Sequence, residues 1–147
     1  RIVEVWEGGG GGGLEGVGGE EGRKLELMDA YYEVGYACFW AGNKAEAVFY
    51  CNQAKEGYEK IHGPNSETGL KATLWLIKAT EISHGEKIEK FRALVETMVE
   101  ALGEENVETL MARHYLAFAL DDNREYEEAR KVLERCLAGR EKLLGEY

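Results

Sequence analysis

The chain has 147 residues, with 28 acidic against 18 basic side chains and a formal charge of −10. That balance argues against nucleic acid and anionic lipid as partners, since both require a basic footprint. No apolar run approaches the roughly 20 residues of a membrane span, so no membrane partner is expected. The length suits one domain with a single core, and 44% hydrophobic with 31% charged residues suits a soluble helical one.

In chain order, residues 1–7 read as an N-terminal tail. Ten of the fifteen positions from Gly8 to Gly22 are glycine, six of them consecutive, so 8–22 is expected to be a flexible linker. A phosphate-cradling loop is the sharper alternative. It lacks both a preceding strand and a Lys-Ser/Thr pair at the helix start, since Arg23 and Lys24 follow without a hydroxyl partner. The sequence opens on Arg1 with no charged-then-apolar leader behind it, which suggests a piece of a longer protein without a secretory signal. Three cysteines without CxxC spacing read as reduced thiols, and so as a cytoplasmic protein.

From Lys24 onward apolar residues recur every three or four positions, the period of helices with one buried face. Breakers at Gly42-Asn43, His62 to Asn65, Ser83 to Gly85, Gly103 to Asn106 and Asp122 to Arg124 divide this stretch. Six helices are expected, at about 24–41, 44–61, 66–82, 86–102, 107–121 and 126–144. The connections are short, so neighbours pack antiparallel as three pairs at about 24–61, 66–102 and 107–144, within residues 23–147.

The pairs repeat. Asn65-Ser66-Glu67-Thr68 matches Asn106-Val107-Glu108-Thr109 at an offset of 41, with each Asn placed to cap the helix behind it. At twice that spacing Gly35 answers Ala117, Ala47 answers Ala129 and Ala54 answers Cys136. The small residues let two helix backbones approach closely. Leu116-Ala117-x-x-Leu120, Tyr126-x-x-Ala129 and Cys136-Leu137 resemble a tetratricopeptide repeat. Tyr126-Glu127-Glu128-Ala129 and Arg140-Glu141-Lys142-Leu143-Leu144-Gly145-Glu146 are similar to the long repeats of kinesin light chains.

The resemblance implies an all-α fold, a right-handed superhelix of three antiparallel helix pairs whose first helices line a concave groove. It further implies a scaffold or adaptor that binds a peptide or partner protein there. The groove positions carried across are Tyr32, Tyr36 and Phe39, then Leu70, Thr73 and Ile77, then Met111, His114 and Phe118. Such a lining suits a ligand with apolar or aromatic anchors. Lys, Asn and Arg, which grip acidic chaperone tails in some members, are missing from the matching positions. Glu4-Val5-Trp6-Glu7 looks like the short cargo motifs that kinesin light chains bind. A fifteen-residue linker reaching roughly 20 Å would let this tail enter its own groove, but the usual behaviour of short termini favours a disordered tail or the end of a preceding domain. An alternative role is a regulatory arm of a larger enzyme or signalling NTPase, packed on its own chain.

Catalysis and metal binding are not expected. His62, His84 and His114 lack paired ligand spacing, and Cys38, Cys51 and Cys136 fall on apolar or small-residue helix positions. The acidic pairs adjoin in sequence, so most fall on solvated faces. No cofactor is implied.

Overall fold

In the computed structural model, residues 19–145 are described, and among them every regular element is a helix: α1 Gly19–Trp40, α2 Lys44–His62, α3 Glu67–Ala79, α4 His84–Leu102, α5 Val107–Asp122 and α6 Tyr126–Leu144. The tail 1–7, with its Glu4-Val5-Trp6-Glu7 motif, and the glycine run 8–18 lie outside the described residues. Residues 19–22 of the expected linker are helical, because α1 begins at Gly19. Glu20 and Glu21 occupy its first turn, where the helix dipole favours acids, and Glu20 pairs with Lys24 at 3.1 Å. These contacts work against the cost of about 1 kcal/mol for each glycine in a helix interior. At the other extreme α3 stops at Ala79, three residues earlier than the periodicity suggests.

The helix ends follow from local chemistry. Ser83 accepts from the Glu86 N–H and Asn106 from the Glu108 N–H, at 3.2 and 2.8 Å. At α3 the capping oxygen comes from Ser66, which accepts from Gly69 N–H at 3.2 Å, and not from the expected Asn65. Helices α2, α4 and α6 each run 19 residues and each ends at a glycine. Gly63, Gly103 and Gly145 have φ of 90°, 93° and 74°, a region open to glycine but strained for other residues. The spacing between these stops is therefore 40 residues and then 42, not a uniform 41.

The chain divides into two compact units between Ala79 and Thr80, inside the stretch where the second pair is expected. In the first unit α1 packs on α2, α2 on α3, and α1 also touches α3. Ala54, Tyr58 and Ala72 form a buried centre, with Leu25, Met28, Tyr31 and Tyr32 packed around it. A Cβ at Gly35 would lie 2.7 Å from Cys51 Sγ and 3.0 Å from its backbone nitrogen, which is why glycine stands at this crossing. In the second unit α4 packs on α5 and α5 on α6. Its core holds Ile88, Phe91, Leu94 and Met98 of α4, Leu110, Leu116 and Leu120 of α5, and Ala129 and Cys136 of α6.

The two hairpins α1–α2 and α5–α6 superimpose in sequence at a spacing of 82. Helices α2 and α6 begin and end in step. Gly42, at φ 86°, is answered by Arg124, at φ 62°. Met28 presses on Gly57, where an added Cβ would stand 1.7 Å from its Sδ. Leu110 presses on Gly139 in the same way, at 2.6 Å. A large side chain from the first helix thus sits in a glycine socket on the second, in both hairpins.

Candidate interaction surface

Helix α1 places Tyr32, Tyr36 and Trp40 at four-residue steps, so the three rings climb one face, with Phe39 beside them. Tyr32 and Tyr36 stack with centroids 6.4 Å apart, and Tyr36 meets Trp40 edge-on at 6.3 Å. Helix α3 brings Trp75 against this row. Its ring lies edge-on to Tyr36 at 4.8 Å, to Phe39 at 5.5 Å and to Trp40 at 6.0 Å. Trp75 is only 3% exposed, whereas Tyr36 is 42% and Trp40 60% exposed. A buried indole therefore braces rings that still face solvent. Each edge-on pair contributes about 0.5–1.5 kcal/mol beyond area burial.

Two lysines of α3 complete the face. Lys78 Nζ lies 4.4 Å from the centre of Trp75, 4.7 Å from Phe39 and 5.2 Å from Trp40. Lys71 Nζ lies 5.2 Å from the Tyr32 ring. Ammonium groups over ring faces are attracted by the ring quadrupole, so this row already holds cations of its own chain.

The expected groove residues therefore separate. Tyr32, Tyr36 and Phe39 come together on α1. Leu70 and Ile77 do not join them: they are 5% and 7% exposed and belong to the buried side of α3. Thr73 is half-buried and donates its hydroxyl to the Gly69 carbonyl at 2.9 Å. The cause is register. With the helix stops 40 residues apart, Leu70 aligns with Leu110 and Ile77 with Ala117, both buried, and the residues that align with Met111, His114 and Phe118 are Lys71, Leu74 and Lys78. A one-residue slip turns a helix by about 100°, enough to exchange inner and outer faces. Lys71 and Lys78 were missed for that reason, whereas Trp40 stands at the last position of α1 and Trp75 within an apolar run of α3. The four-residue step from Tyr36 to Trp40 and the seven-residue step from Lys71 to Lys78 were the available signals.

In the second unit His114 and Phe118 pack edge-on at 4.4 Å, with Tyr115 at 5.8 Å from His114 and 6.1 Å from Phe118. Phe118 is exposed, while Met111 and His114 are half-buried. Elsewhere in this unit Glu104 accepts from Arg113 at 3.2 Å and from Arg135 at 3.1 Å, and Lys142 pairs with Glu105 at 3.0 Å. The Arg113 hydrogen bond and charge, with help from Arg135, hold the Glu104 carboxyl below its usual range.

Cys51 and Cys136 are core groups, and Cys38 is half-buried. Burial pushes Cys51 up to about 12 and also raises Cys136, and Cys38 is raised by burial together with Glu46. Thiolate, the nucleophilic form, is thereby disfavoured at all three. Burial, with a hydrogen bond to Asp29, likewise raises the Tyr58 hydroxyl. Among the described residues no three His, Cys, Asp or Glu side chains gather as a metal site would, and no helix is long and apolar enough to cross a membrane.

Residues 109–146, covering most of α5 and all of α6, match the family model of the tetratricopeptide repeat. The match supports a repeat protein of the tetratricopeptide type. No curated protein and no solved structure matches the chain. Tetratricopeptide repeats are in general modules of protein–protein interaction, and a surface of braced aromatic rings accords with that use.

Proposed function

We propose that this chain is a non-enzymatic adaptor that captures a polypeptide with bulky apolar or aromatic anchors on faces presented by the first helices of its repeats. Tyr32, Tyr36 and Phe39 supply that face on α1, and Met111, His114 and Phe118 supply it on α5. On α3 the outward places fall to Lys71 and Lys78, with Leu70 and Ile77 released to the core. We propose further that the repeats are of the long, kinesin light chain-like variety, that they continue as a right-handed superhelix, and that the protein works in the cytoplasm.

The observation that carries the proposal is the row Tyr36 and Trp40, solvent-facing yet locked edge-on against the buried Trp75. Rigid, partly exposed aromatics lose little conformational freedom on binding, and they dominate the energetics of interfaces. The test is selection from a random peptide library on the full chain, with affinities measured by fluorescence anisotropy. Peptides with aromatic or large apolar anchors should be enriched and should bind at least tenfold more weakly to Tyr36→Glu, whose helical circular dichroism stays that of the parent. Selected peptides whose affinity ignores Tyr36→Glu would refute the assignment.

A further inference from the structure

Two guanidinium groups of the second unit converge on one carboxylate oxygen. Glu104 Oε1 accepts from Arg113 at 3.2 Å and from Arg135 at 3.1 Å. Arg135 is exposed, whereas Arg113 keeps only 7% of its surface open. A guanidinium carries five N–H donors in a rigid fork. Among the described residues Arg113 engages Glu104 through Nη2 and gives no other hydrogen bond. Unmet donors at so buried a position favour an added acceptor, and the planar fork suits a carboxylate.

Arg113 lies in the floor of a cleft of about 450 Å³ between α4 and α6. Val99 of α4, Leu116 of α5 and Val132 of α6 give the cleft apolar surface, Glu96 and Glu100 stand on its α4 side, and Arg135 on its α6 side. Farther along, Arg92 of α4 and Glu128 of α6 join the two walls at 2.8 Å. Floor and walls thus come from three consecutive helices of one unit, so the cleft is complete whatever precedes α1 or follows α6.

Charge runs along this cleft in a fixed order. At the α4–α5 turn two guanidiniums share one carboxylate, which leaves a positive surplus there. Glu100 and Glu96, both exposed, stand one and two turns of α4 away, about 5 and 11 Å. The apolar side chains lie between. A small anion would answer the arginines and be repelled by the two glutamates. A ligand with an acid, a branched aliphatic group and a base in succession answers all three. On a helix, positions i, i+3 or i+4, and i+7 share one face and span about 10.5 Å, the same two turns.

We propose that the α4–α6 cleft is a docking site for an amphipathic helix of a partner protein, laid along α4 and carrying an acid at i, a branched aliphatic residue at i+3 or i+4 and a Lys or Arg at i+7. The acid takes the unused donors of Arg113 with help from Arg135, the aliphatic group packs on Val99, Leu116 and Val132, and the base meets Glu96 and Glu100. The site shares no residue with the Tyr36–Trp40 row and stands whether or not that row captures peptides.

The probe is a library of alanine-based helical peptides in which positions i, i+3, i+4 and i+7 are randomised, selected on the full chain carrying Tyr36→Glu so that ligands of the aromatic row are set aside. Selected peptides should carry the acid, aliphatic and base in that order. Labelled with fluorescein and followed by anisotropy, they should bind at least tenfold more weakly to Val99→Glu. Arg135→Glu should weaken them tenfold as well, and a peptide whose acid is replaced by lysine should recover most of that loss. Circular dichroism verifies the folding of each variant, and Val132→Glu serves as a second change in the apolar wall. Selected peptides without the charge order, no saturation at concentrations of about 1 mM, indifference to both Val99→Glu and Val132→Glu, or failure of the charge exchange would overturn the proposal and leave Arg113 a structural partner of Glu104.

Discussion

Hairpins α1–α2 and α5–α6 share a 19-residue second helix, a left-handed turn residue, a glycine stop and a large side chain seated on a glycine, yet they bury different amounts of themselves. Helix α2 buries Ala47, Tyr50, Cys51, Ala54 and Tyr58; helix α6 buries only Ala129 and Cys136. The small positions against the neighbouring first helix are alike in both, with Gly35 answered by Ala117, Ala47 by Ala129 and Gly57 by Gly139. The difference lies at the residues that meet α3 in the first hairpin: Phe39 and Trp40, which touch Trp75, give way to Asp121 and Asp122, and Tyr58, packed with Ala72, gives way to Arg140. A repeat thus has one face fixed by its own partner helix and another fitted to whatever comes next. Local periodicity records the first face and says little about the second.

The strongest way to break this comparison is to remove the cover. Trp75→Ala should cost about 3–5 kcal/mol, the usual loss for truncating a large buried aromatic. Hydrogen exchange should locate the lost protection in α1–α3, with far smaller changes in α4–α6. Equal loss across both units would mean that the indole is not the brace of the first unit alone.

The crossing point between the paired helices gives the next effect. Gly35→Ala sets a methyl group 3.0 Å from the Cys51 backbone nitrogen, so it should destabilise by about 1–3 kcal/mol in urea unfolding. At the equivalent position Ala117→Gly should cost only about 1 kcal/mol, chiefly through helix propensity. Equal costs would show that the two crossings are equally close.

The smallest effect concerns acid. Arg113 is buried and depends on Glu104, whereas Tyr31 stands at the same place in the first unit, 6.2 Å from the Tyr50 ring. The Glu104 carboxyl is held lower in the folded chain than in the unfolded one, mainly by Arg113. Its contribution is therefore complete above the ordinary glutamate range and fades as pH falls through the lowered value. Unfolding midpoints between about pH 5 and pH 3 should drop less steeply in Glu104→Gln than in the parent. The difference should be read by exchange protection in the second unit.

Much of the fold was legible because its causes are local. Glycine and Asn-rich breakers, helical periodicity and the small pairs at a spacing of 82 gave six helices and the hairpin register. The middle of the chain was harder for a physical reason. Ser66 and Asn65 are equally able caps, and matching the Asn residues sets an offset of 41, whereas the glycine stops set 40. That single step carried Leu70 and Ile77 from the core to the expected groove and hid Lys71 and Lys78. Trp75 lies in a nearly continuous apolar run, so neither of its faces was marked by polarity. The glycine sockets at Gly57 and Gly139 read as ordinary helical glycines until the facing Met28 and Leu110 were in place.

Those sockets also separate two kinds of adaptation. Where a thioether or a branched alkyl group rests directly on bare backbone, as Met28 does at Gly57 and Leu110 at Gly139, the size of one side chain bears on the spread between two rods. Exchanging that group retunes the angle at which the outer rings and carboxylates are held, without altering any of them. Reach and chemistry can drift independently in such a scaffold, one through a hidden pivot and the other through the residues that a visitor touches.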